Sequence, residues 1–147
     1  MTLGRSLPRW LLLLTLWAGV AYAGTDCTVS TSGVAFGSFD PIANTNRDVN
    51  GTITVTCTGN IGASVSYRLM LSAGGGTFPT RKMASGANNL NYNLYTDSAR
   101  TSVWGDGSGA TSIITDSYTF AVSPTVRTYT VYGRIPKIGR ASCRERV

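Results

Sequence analysis

Seven consecutive residues, Gly51-Thr52-Ile53-Thr54-Val55-Thr56-Cys57, alternate between core-forming and hydroxylated side chains. A two-residue period puts Ile53, Val55 and Cys57 on one face of a strand and Thr52, Thr54 and Thr56 on the other. A helix would scatter the same residues around its axis. The pattern recurs. From Ser64 to Ser72, Val65, Tyr67, Leu69 and Leu71 point one way and Ser66, Arg68 and Ser72 the other. Leu90, Tyr92 and Leu94 alternate with Asn91, Asn93 and Tyr95, Tyr118, Phe120 and Val122 form another set, and Thr128 to Tyr132 one more. Cys27 to Phe36 is expected as the first strand, bent at Gly33. Between these runs lie Asp40-Pro41, Asn44 to Asn50, Gly59-Asn60, Gly74-Gly75-Gly76, Gly86 to Asn89 and Gly105 to Gly109, which are turn chemistry. No window has the periodicity of an amphipathic helix. Many short strands at regular spacing predict an all-β sandwich.

The ends of the chain read differently. Arg5 and Arg9 precede an apolar run from Trp10 to Ala21, and Ala21-Tyr22-Ala23 has the small-x-small form of a signal-peptidase site. Residues 1–23 are therefore expected to be a secretory signal, cleaved between Ala23 and Gly24. The apolar run is short of the ~20 residues a membrane span needs. The domain is assigned to residues 24–137. Residues 138–147, Ile-Gly-Arg-Ala-Ser-Cys-Arg-Glu-Arg-Val, break abruptly with the charge-poor composition before them and resemble a translated sequencing-library adapter. They are read as a non-native tail.

Charge and cysteine count follow this division. The whole chain carries 13 Lys and Arg against 7 Asp and Glu, a net +6, and has no His. Residues 24–137 hold eight basic and six acidic residues, 8 − 6 = +2, with no cluster that would track a phosphate backbone. A nucleic-acid partner is not expected. Of the three cysteines, Cys143 falls in the tail, leaving Cys27 and Cys57 as one pair, expected as a disulfide in an oxidising compartment. Without His there is no Ser-His or Cys-His catalytic pair, and no metal site or cofactor is expected. Gly105-Asp106-Gly107-Ser108-Gly109 lacks the carboxylate series of a calcium loop, and Gly74-Gly75-Gly76 lacks the Gly-Lys-Ser of a phosphate-binding loop. A secreted enzyme is the weakest reading.

Cys27-Thr28-Val29-Ser30, followed by Gly33-Val34-Ala35-Phe36-Gly37-Ser38-Phe39-Asp40-Pro41, resembles the opening of the spore coat protein U family. Ile53 to Cys57, Arg81-Lys82-Met83, Leu90 to Tyr95, Val103 to Gly107 and Tyr129 to Pro136 follow in that family's order. The family is similar to the subunits of archaic chaperone–usher pili. The resemblance implies an incomplete immunoglobulin-like sandwich, completed by a strand from a periplasmic chaperone and then from a neighbouring pilus subunit. It implies export through the periplasm and an outer-membrane usher to the cell surface or spore coat. The family's last strand is absent after Pro136 and is read as lost by truncation. Only Gly24, Thr25 and Asp26 precede Cys27, so the chain is expected to accept a strand and not to donate one. Val34 and Phe36 are the candidates for lining the acceptor groove. The competing reading is an adhesin at a pilus tip, in which Phe78 and Trp104, on loops at one end of the sandwich, contact a host or abiotic surface; Trp104 taken alone reads first as an anchor of its strand, and Val34 or Phe36 taken singly as ordinary core.

Overall fold

A computed structural model describes residues 24–138. The expected signal segment, its cleavage residue Ala23 and nearly all of the expected tail lie outside the described residues; Gly24 is the first described residue and is exposed.

The fold is all-β. Seven strands run in the order β1 (Asp26–Thr31), β2 (Arg47–Thr58), β3 (Ser64–Leu69), β4 (Arg81–Ser85), β5 (Asn88–Tyr95), β6 (Ile114–Thr119) and β7 (Thr125–Ile135). They form a five-stranded sheet of order β1-β2-β7-β5-β4 and a two-stranded sheet of β3 and β6. The paired strands are all antiparallel. The two layers pack as an immunoglobulin-like sandwich, with Ile53, Val55, Cys57, Val65, Trp104, Phe120 and Val131 enclosed in the core.

The alternation of β2 explains the register. Val55 is opposite Val29 on β1 and Arg127 on β7, and Ile53 is opposite Thr31 and Tyr129. Residues opposite one another on neighbouring strands project to the same face. The threonines Thr52, Thr54 and Thr56 accordingly face away from the second layer. Cys27 and Cys57 are register partners and are joined, closing a loop with a sequence separation of 30. By loop-closure entropy this bond stabilises the fold by roughly 3–4 kcal/mol.

Several strand limits differ from the sequence expectation. β1 stops at Thr31, because Gly33 takes a left-handed φ of 69° and turns the chain out of the ladder. β3 stops at Leu69, although Leu71 still packs against the core. β6 lies earlier than expected, so Phe120 follows its end and Val122 is exposed. β4 was not foreseen as a strand.

Candidate strand-accepting groove

A five-stranded layer facing a two-stranded layer leaves part of its inner face bare. Val29 shares a face with the fully enclosed Val55, yet it is 61% exposed. β1 touches no strand other than β2 among the described residues. Its outer edge therefore has no ladder partner there, and neither does the edge of β3 that faces away from β6.

An apolar cavity of about 240 Å³ opens on this bare face. Ile53 of β2, Val131 of β7, and Leu94 and Tyr92 of β5 form its floor, Met83 of β4 stands at one end, and Leu71 closes it from beyond β3. Each floor residue is there because of two-residue alternation on its strand. Met83 shows no such signal, because the positions two before and two after it in this short strand are Arg81 and Ser85. Val34 and Phe36 also line the cavity.

These two residues lie on a short strap, residues 33–37, that leaves β1 and crosses the inner face. Gly33 and Gly37 both have left-handed φ, 69° and 65°, at its two ends. Phe36 is 7% exposed and meets Tyr92 edge-on at a centroid distance of 5.9 Å. The strap approaches the sheet so closely that two strand glycines are required beneath it. A Cβ on Gly133 would lie 2.5 Å from Val34 Cγ1 and 2.9 Å from Phe36 Cζ; a Cβ on Gly51 would lie 2.2 Å from the Gly33 carbonyl oxygen. Alternation alone does not reveal these glycine seats. The strap's backbone makes no backbone hydrogen bond from Val34 to Phe36 among the described residues; Arg47 Nε donates to the Phe36 carbonyl at 3.0 Å.

Two polar clusters hold the layers around the groove. In the first, the phenol of Tyr129 donates to Asp116 and lies 2.7 Å from the phenol of Tyr67. Arg127 Nε is 3.9 Å from Asp116, and its guanidinium stacks on Tyr118 at 4.9 Å. The hydrogen bond from Tyr129 holds the Asp116 carboxyl below its usual range. Desolvation, followed by that carboxylate, pushes the Tyr129 phenol well above its own. In the second cluster, Arg81 is 1% exposed. It donates from Nε to the Ser72 carbonyl at 3.0 Å, and at 2.6 Å both to Asn93 Oδ1 and to the Trp104 carbonyl. Burial lowers its pKa. Asn93 in turn donates to the carbonyls of Phe78 and Pro79 at 2.8 and 3.1 Å. Arg81 and Asn93 thus set the loops at the far end of the sandwich.

Those loops separate the two expected adhesive residues. Trp104 is 0% exposed, and its indole N–H donates to the Leu69 carbonyl at 3.0 Å. Instead of reaching outward it ties the 104–112 loop to the end of β3, and the loop is closed by the Gly105 N–H donating to the Ser112 carbonyl at 2.9 Å. Phe78 is half-buried and lines a second cavity. Among the described residues no group of three or more His, Cys, Asp or Glu side chains is placed to hold a metal ion.

Fold and groove together define a single-disulfide β-sandwich with open strand edges, a class suited to assembly with other chains. The family model for the Spore Coat Protein U domain matches residues 14–143, and the chain belongs to that family. The family is associated with chaperone–usher pilus-type surface subunits, a structural role. The disulfide fits an extracytoplasmic location. No match is found among curated proteins.

Proposed function

We propose that the chain is a structural, non-enzymatic subunit of a surface filament or coat that accepts an extended strand from another molecule into the Val34–Phe36 groove. One observation carries this reading: Val29, on the core-facing side of β1, stands 61% exposed two residues from Thr31, which lines the apolar trough, and the outer edge of β1 has no ladder partner among the described residues. An extended segment with apolar side chains at alternate positions satisfies both needs at once. Its backbone pairs the open edges and its apolar side chains fill the trough. In a periplasmic setting the first donor is a chaperone, and the lasting donor is a neighbouring subunit delivered at an outer-membrane usher.

The test is thermal unfolding of the purified chain with synthetic peptides. A peptide alternating Val or Ile with Thr raises the melting temperature in a dose-dependent way, by about 2.7 kcal/mol of stability at a concentration 100 times its Kd. A peptide of the same composition with its apolar residues clustered does not. Equal response to both peptides, or to neither, sinks the reading.

A further inference from the structure

A second cavity, of about 410 Å³, lies among the loops at the end of the sandwich. It is lined by Phe78, Pro79 and Val103 on one side and by Ser108, Ala110 and Thr111 on the other, with Thr101 and Gly109 at its margins. Its volume is in the range of small-molecule sites. The strand-accepting groove does not use it.

The loops that build it are fixed from within. Asn93 and the buried Arg81 hold the 72–81 segment, and the Arg81 guanidinium lies 5.5 Å from the centre of the Phe78 ring. Asp97 accepts from the backbone N–H groups of Thr101 and Ser102 at 3.1 and 2.7 Å. Asp106 accepts from the N–H of Ser108 at 2.8 Å. A site already set pays little ordering entropy on binding.

The hydroxyls of the lining are committed in one direction. Thr101 Oγ1 donates to Asp97 at 2.9 Å, Ser108 Oγ to Asp106 at 2.6 Å, and Thr111 Oγ1 to the Ser108 carbonyl at 2.7 Å. A hydroxyl has one hydrogen and two lone pairs. With the hydrogens used internally, and with Thr111 Oγ1 also accepting from the Gly107 N–H at 3.0 Å, these oxygens offer lone pairs and no donors, Thr101 and Ser108 the most. Asp97 and Asp106 stand behind two of them, and the Arg81 guanidinium stands behind the Phe78 ring. The opposite wall is an aromatic ring with aliphatic neighbours.

We propose that this cavity is a binding site for an uncharged pyranose. Such a ring has an apolar C–H face for Phe78, Pro79 and Val103, and hydroxyl donors around its edge for Thr101, Ser108 and Thr111. An anionic sugar finds no free hydroxyl donor on these three side chains, and a purely apolar ligand leaves the Thr101 and Ser108 acceptors unused. The site is separate from strand acceptance, and either can fail without the other.

The test uses the full chain with methyl glycosides of glucose, galactose, mannose and glucuronic acid, followed by ligand-detected saturation transfer and protein amide shifts. Saturable binding in the millimolar range is expected for at least one neutral glycoside, with shifts confined to residues 78–79 and 101–111, and none for the glucuronide. F78A weakens that binding about tenfold, the upper end of what an aromatic contact contributes. A110W, a change at an exposed position that fills the cavity without touching the core, abolishes it and keeps the assay informative if F78A does not fold. Absence of saturable binding by every neutral glycoside, preference for the glucuronide, or an A110W chain that binds like the parent overturns the proposal.

Discussion

Asp116 lies where the two layers meet, and its chemistry gives the stability of the sandwich a direction in pH. Its folded pKa is depressed, first of all by the hydrogen bond from Tyr129. A depressed carboxyl contributes stability that is complete above its unfolded pKa of about 3.9 and disappears as pH falls through the lower folded value. Tyr129 acts at the other limit. Its folded pKa is raised, by desolvation and then by Asp116, so its contribution is complete below about pH 10 and declines as pH climbs toward the folded value. In D116N the acid limb of a urea-midpoint-versus-pH curve should flatten, with a loss of about 1–2 kcal/mol at pH 7. Y129F should lower the midpoint comparably and shrink the alkaline limb, leaving the part that the raised Tyr67 phenol contributes. A second residue-scale prediction concerns Arg81, whose planar fork reaches Ser72, Asn93 and Trp104 together. R81K keeps the charge but loses the fork, and should cost about 2 kcal/mol in urea unfolding; R81A should cost more, because three buried acceptors lose their donor. Neither role is legible in the sequence. Asp116 and Arg81 look like ordinary polar positions, and their partners stand 13 and 49 residues away in one case and 9 to 23 in the other.

At the scale of elements, the strap depends on what the strands beneath it lack. G133A places a methyl group where Val34 and Phe36 now sit, and should lift the strap. The cost expected is about 1–3 kcal/mol, typical of overpacking. Hydrogen exchange should quicken at residues 33–37, while exchange in β3 and β6 stays as before. An unchanged pattern would mean that the strap does not rest on that seat. Sequence reading recovers elements in proportion to their alternation. β2, β3, β5 and β7 are visible because each has one face in the core and one in solvent. β4 is not, because Arg81-Lys82-Met83-Ala84-Ser85 has a buried cation where an apolar residue is expected. The first strand reads too long because Val34 and Phe36 continue the apolar alternation after the chain has left the ladder at Gly33. Trp104 taken alone reads first as a buried strand anchor, since Trp is so often substantially buried, and the packed fold encloses it.

At the scale of the molecule, the imbalance of five strands against two has a cost when no donor is present. Open edges and an exposed Val29 are templates for pairing with other chains. Without a donor, the purified chain should self-associate as its concentration rises in sedimentation velocity. A saturating alternating peptide should return it to a single monomeric boundary, and V29K should reduce self-association while leaving the melting temperature nearly unchanged, since surface changes of this kind usually stay within about 0.5 kcal/mol.

The Cys27–Cys57 bond has a further consequence. Among the described residues β1 is held by β2 alone, and the bond lies near the start of that attachment. In the dithiol form the first strand is free to peel, and with it goes the margin against which a guest segment would align. Under the proposed function, a reduced copy offers a guest strand a frayed margin and should bind an alternating peptide more weakly than the oxidised chain does.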